Sequence, residues 1–148
     1  MSAAASIEML RRTGDFTPLL EGIPYARYLG LSVELAAGDP ITKLGPNLGL
    51  VGNAVISALH GGTVGALLES AAIFKLIWEG SANVVPKTIN ITIDYLRSAH
   101  AAESTYARAS ITKHGRRIAN VQVRAWQADE SKPIAAAYAH FLLNTSVT

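Results

Sequence analysis

Cysteine is absent from the 148 residues. That excludes disulfides, thiolate zinc sites and cysteine nucleophiles together. It is compatible with a reducing compartment, and cytoplasmic residence is the expectation. Charge is sparse: Asp, Glu, Lys and Arg make up 16% of the chain against 49% hydrophobic residues. This balance excludes a disordered chain and describes a well-buried globular one, with a hint of further surface hidden in an oligomer. The formal net charge is only +2, too small to argue for a nucleic-acid partner but suited to an anionic small ligand. A long uninterrupted apolar run is also missing. The longest follows His60 and is broken by Glu69 and Lys75, so no membrane association is expected. Residues 1–12 lack a basic region followed by an apolar core, and Glu8 interrupts them, so no secretory leader is expected. Neither a phosphate-binding glycine-rich loop nor a Gly-x-Ser-x-Gly nucleophile elbow occurs. The four histidines, His60, His100, His114 and His140, are scattered, and no metal site is expected.

What is present fits one domain with a substantial core. Residues 1–15 are small and polar and predict a poorly ordered or loosely docked lead, with a single domain over 16–148. Pro18 and Pro24 limit residues 16–29 to one or two short helices, stopped at Gly30. Leu31 to Ala37 alternates as a strand does, Gly38-Asp39-Pro40 has turn chemistry, and Ile41 to Leu44 is a second short strand. The glycine-rich stretch from Gly45 to Leu59 is long for a structureless loop, and loops of that kind are usually functional or make close backbone contacts. A helix from about His60 to Trp78 is apolar almost all the way round, which predicts a core helix. From Thr88 the alternation is strict, with Ile89, Ile91, Ile93 and Tyr95 on one face. Three further strands follow, over 103–113, 116–127 and 134–143, joined by tight turns into an antiparallel meander. The economical packing is one sheet with one central helix.

Two residues sit oddly in that helix. Gly61, with Gly62, stands at its start, where the first N–H groups lack internal partners and partial positive charge gathers. A bare glycine lets an oxygen approach such a group; equally, the pair permits a tight turn. Glu69 lies in the apolar middle with no basic residue three or four positions away, so it is a functional carboxylate or a solvated one. The two are about 12 Å apart along a helix axis, too far to act on one carbon in one chain. Two such helices lying antiparallel across a two-fold axis would bring Gly61 of one to Glu69 of the other. His60 is a candidate for substrate contact or for the helix start, and Asn53 for orienting a water or holding its loop. Arg97, Lys113, His114, Arg116 and Arg117 read as a basic group around strand ends and a turn, either solvated or phosphate-binding.

Leu59-His60-Gly61-Gly62 followed by Leu67-Leu68-Glu69-Ser70-Ala71 resembles the signature of hotdog-fold thioesterases of the phenylacetate-degradation (PaaI-like) type. Ile23 to Gly30 resembles that family's leading helix, Asp94-Tyr95-Leu96-Arg97 the end of its long strand, and His114-Gly115-Arg116 its hairpin turn. The resemblance implies an α+β hotdog fold, a curved antiparallel sheet wrapped around one long central helix. It implies a homodimer, or a dimer-of-dimers tetramer, with sites at the dimer interface. It implies hydrolysis of acyl-CoA with no cofactor, coenzyme A entering only as part of the substrate. Carried over, the Gly61 N–H polarises the thioester carbonyl and Glu69 of the partner subunit is general base or nucleophile. His60 and Asn53 complete the catalytic set, and Gly62, Arg97, Lys113, Arg116 and Arg117 bind substrate. The pattern departs at Ile73, where some relatives carry a Ser or Thr that helps hold water. Two rivals stay open, a non-catalytic acyl-CoA sensor and a hotdog hydratase or dehydratase using His60 and Glu69.

Overall fold

The computed structural model describes residues 1–143; the end of the expected domain, 144–148, lies outside them. The chain opens with helix α1 (Ala3–Thr13), started by the Ser2 side chain accepting from the Ala5 N–H and ended by Gly14 at φ 75°. This corrects the expected loose lead. Ile7 and Leu10 are fully buried, and the Arg11 guanidinium donates to the carbonyls of Ile77 and Ala82 and to the Asn83 side chain at 2.7–3.0 Å. One apolar stripe and one arginine therefore fasten the lead to the core. Helices α2 (Thr17–Glu21) and α3 (Pro24–Leu29) carry their prolines in the first turn, and Gly30 ends α3 at φ 68°.

Strands β1 (Leu31–Ala36) and β2 (Asp39–Leu44) form a hairpin in which Ala36 faces Asp39. Its two loop residues, Ala37 and Gly38, both have positive φ, 51° and 79°. That is the I′ pattern, which suits Asn-Gly far better than Ala-Gly, because alanine is strained in the left-handed region. Ala37→Asn is expected to raise the thermal midpoint by roughly 2–4 °C, equivalent to about 0.5–1 kcal/mol. A thermal melt checks this, and an unchanged or lower midpoint contradicts it.

The glycine-rich connection is not structureless. It holds a 3-10 turn (Leu48–Leu50) and a small antiparallel pair, β3 (Val51–Asn53) with β4 (Ala58–Leu59). The long helix α4 (Gly61–Glu79) follows, then β5 (Lys87–Tyr95), β6 (Thr105–His114), β7 (Ile118–Trp126) and β8 (Ala135–Leu142). The six-stranded sheet runs β1-β2-β6-β7-β8-β5, every neighbour antiparallel. Its inner face is built of small residues, including Ala107, Ala109, Ala119, Ala125, Ala135, Ala137 and Ala139, all buried. Their size lets the sheet curve closely around α4. The result is the expected α+β architecture, an antiparallel sheet wrapped on one central helix. By length and apolarity α4 could cross a membrane; here it is the core helix, with Leu67, Leu68, Phe74 and Ile77 almost completely buried.

Lys75, the cation inside the apolar run, is accounted for by Asp39 at 2.6 Å and Glu79 at 2.9 Å. Partial burial opposes its charge, but these two carboxylates outweigh that and lift its pKa above the usual lysine value. Arg108 grips the other oxygen of Asp39 at 3.0 Å, and the Trp78 indole donates to the Gly38 carbonyl at 3.1 Å. The C-terminal half of α4 is thus pinned to the β1–β2 turn. One stripe of the helix is left partly uncovered: Gly61, Gly65, Ala66, Glu69, Ser70 and Ile73. Beside it runs β5, an outermost strand, paired on one side only with β8. Ile89 and Tyr95 of that strand are more than half exposed.

Candidate active site

The site begins where β4 hands over to α4. His60 is the N-cap, extended at φ −60° and ψ 134°, and its ring accepts the Gly62 N–H on Nδ1 at 2.9 Å. Since a backbone N–H can only donate, Nδ1 carries no proton and the neutral ring is protonated on Nε2. The His60 carbonyl takes the N–H groups of Thr63 and Val64 at 2.9 and 3.3 Å. Of the first four donors of the helix, only the Gly61 N–H is left without an acceptor among the described residues. Of the glycine pair, Gly61 alone has a donor to offer; that of Gly62 is already used.

His60 is seated by the 3-10 turn and by β3. Its N–H donates to the Leu50 carbonyl at 2.8 Å. A Cβ at Gly52 would lie 2.6 Å from the His60 Cα, so position 52 must be glycine for the two segments to cross this closely. On the other side stands Tyr95, at the end of β5. Its hydroxyl donates to the Gly61 carbonyl at 2.8 Å, and its ring would lie 3.4 Å from a Cβ at Gly61.

These groups open on a cavity of about 380 Å³, whose lining includes Asn53, Ile56, Gly61, Tyr95, Leu96 and Arg97. Asn53 uses its side-chain oxygen locally, accepting from the Val55 N–H at 3.1 Å, which leaves its NH₂ group for the cavity. Arg97 donates once, to the Pro133 carbonyl at 2.6 Å, and keeps its remaining donors. Gly61, Asn53 and Arg97, picked out on sequence, are therefore brought together, while His60, next to Gly61 in the chain, does not itself line the cavity.

Glu69 is not brought to them. It sits two turns further along the same uncovered stripe, half-buried, and forms no ion pair among the described residues. Against the basic group read from sequence, the structure separates Arg97 from the rest. Lys113 is next to last in β6, and Arg116 and Arg117 occupy the β6–β7 turn. That turn lies at the sheet end where Ile118 and Lys87 both face Leu142; Arg97 lies at the opposite end, past Tyr95. Nine residues of β5 separate the ends, about 27 Å. The order of strands, not proximity along the chain, decides which cations are neighbours. His114 and Arg116 instead border a second cavity of about 440 Å³ at the C-terminal end of α4, walled by Leu76, Val84 and Pro86.

Sequence reasoning missed Gly52 and the role of Tyr95. Gly52 carried a signal, since it lies in a loop already suspected of close backbone contacts. Tyr95 reads from sequence as a side chain that could shape a pocket, but its bond to Gly61 carried no signal, because the strand-to-helix register is a tertiary property.

Residues 57–134 match the family model of the thioesterase superfamily. A structure from Chromobacterium violaceum is similar at 36% identity, covering 94% of this chain and 96% of that one, with a TM-score of 0.74. A mutant of the phenylacetic acid degradation protein PaaI from Thermus thermophilus is similar at 25% identity, covering 81% and 98%, with a TM-score of 0.68. Zebrafish thioesterase superfamily member 2 shares the fold at 22% identity, covering 77% and 81%, with a TM-score of 0.65. A search of curated proteins found no match. With the family's match covering more than half of the chain, and the sheet-wrapped helix that its sequence motif implied, this protein belongs to the thioesterase superfamily as a PaaI-like hotdog member.

Proposed function

We propose that this protein hydrolyses acyl-CoA thioesters at sites shared between two protomers. The observation that carries the reading is the Gly61 N–H, without an acceptor among the described residues, on a residue that lines a cavity at the positive end of α4. Glu69 lies too far along the same helix to serve that cavity itself. Antiparallel pairing of two β5 edges would satisfy their unpaired backbone groups and cover the exposed apolar side chains beside them. The same two-fold sets Gly61 of one α4 against Glu69 of the partner subunit. It also carries the Arg97 end of one β5 to the Lys87 end of the other. The partner's Lys113, Arg116 and Arg117 would then rejoin Arg97 around one site, where the phosphates of coenzyme A need cations. A homodimer suffices, and a tetramer would be a pair of such dimers.

In the reaction the thioester oxygen accepts the Gly61 N–H, which stabilises the negative charge that forms there. Glu69 of the partner subunit takes a proton from water, and the water oxygen bonds to the carbonyl carbon. The C–S bond then breaks, and the departing thiolate receives the proton. In the alternative route Glu69 attacks first as nucleophile, and water then hydrolyses the mixed anhydride. His60, through its Nε2–H, and Asn53, through its NH₂ group, hold the thioester or the water, and Gly62 fixes His60 for that task. The cysteine-free sequence is in keeping with work in the reducing cytoplasm.

A thiol-release assay over short, medium, long and aromatic acyl-CoAs tests this. Release of free coenzyme A from at least one class is expected. Tight binding across the panel with no thiol released would mean the protein senses acyl-CoA and does not cleave it.

A further inference from the structure

The glycine pair that lets a substrate oxygen approach Gly61 is also the most freely rotating dipeptide a chain can contain. An oxyanion donor must not rotate, since its value lies in being aimed before charge develops. The Gly61 N–H belongs to the His60–Gly61 peptide, whose carbonyl accepts from Thr63 and Val64; the next peptide, between Gly61 and Gly62, is also held at both ends. Its carbonyl accepts the Tyr95 hydroxyl at 2.8 Å, and its N–H donates to His60 Nδ1 at 2.9 Å. A continuous chain therefore runs from Tyr95 O–H through one peptide group to the imidazole. Hydrogen bonds in series polarise one another, so each strengthens the next. The Tyr95 ring also lies 3.4 Å from where a Cβ at Gly61 would be, and its hydroxyl 3.7 Å from where one at Gly65 would be.

We propose that Tyr95 is a positioning residue of the site, one that clamps the Gly61–Gly62 peptide, steadies the backbone next to the Gly61 N–H and locks His60 as its Nε2–H tautomer. Tyr95 reaches the substrate's oxygen only through Gly61. The proposal rests on the hydrolase reading for its kinetic consequence but not for its structural one.

Tyr95→Phe tests it, because the ring stays and only the hydroxyl leaves. The expected result is a fall in kcat of about tenfold, the loss of one hydrogen bond's stabilisation, with KM within about twofold. Imidazole nitrogen NMR of the same variant is expected to show His60 as a mixture of tautomers, where the wild type shows Nε2–H alone. Unchanged kcat with an unchanged His60 spectrum overturns the proposal. So does a lowered melting temperature with lowered kcat and His60 unmoved, which assigns Tyr95 to packing. If the wild type hydrolyses none of the acyl-CoAs, the hydrolase reading fails, yet the His60 spectrum of Tyr95→Phe still decides the clamp.

Discussion

Glu69→Gln is expected to lower kcat for thioester hydrolysis by about 10²- to 10⁴-fold, the usual contribution of a positioned general base. The variant is close to isosteric. Glu69 forms no ion pair among the described residues, so no buried cation is stranded and the fold is expected to survive. Circular dichroism and a thermal melt would show an intact protein, and acyl-CoA binding would persist. Activity within tenfold of wild type would remove Glu69 from the chemistry. A solvated glutamate on a helix, the bland reading of this residue, predicts that milder outcome.

The second large effect concerns one hydrogen. Gly61→Pro deletes the free N–H and little else. Position 61 is the first residue of α4, where proline is well tolerated because that N–H has no partner inside the helix. The preceding residue must then be extended, and His60 already is, at φ −60° and ψ 134°. Loss of an oxyanion donor is expected to reduce kcat by about 10²- to 10³-fold. Gly61→Ala keeps the N–H and places a methyl at ordinary contact distance from Tyr95, 3.4 Å, so it is expected to stay within about tenfold of wild type. Equal damage from both substitutions would mean that Gly61 provides space, not a donor.

Mixing the two inactive chains tests the sharing of sites. A dimer of one Gly61→Pro and one Glu69→Gln protomer has one site with both defects and one with neither. Random reassociation is then expected to restore about a quarter of wild-type activity, because half the dimers are mixed and each has one good site. No recovery on mixing, with exchange of protomers verified, would place the whole site in a single chain.

Much of the fold is legible in the sequence, and the rest is not, for physical reasons. The isoleucine alternation of β5 and the apolar run of α4 were legible because burial on one face, or on all faces, imposes a period on composition. The misfit of Glu69 was legible for the same reason, as a break in that period. Residues 1–15 misled because alanine and serine do not announce a core. Yet Ser2, Ile7, Leu10 and Gly14 already spelt a capped helix with one buried stripe. The basic residues misled differently. Arg97 and Lys113 are sixteen positions apart, but β5 turns out to border β8, and no local pattern states which strands become neighbours. The bond from Tyr95 to Gly61 was invisible because it crosses thirty-four positions.

The placement of β5 also bears on how the chain matures. It is synthesised before β6, β7 and β8, yet among the described residues its sole neighbour in the sheet is β8. While residues 96–134 emerge from the ribosome, β5 has no strand of its own chain on either side. Its isoleucines are then a sticky ribbon with two open edges, in a topology whose closing contact is long-range and therefore slow. β8 seals one edge only once residues 135–142 exist. The other edge stays open, so the last step of making one sheet would leave ready the strand that the proposed dimer pairs.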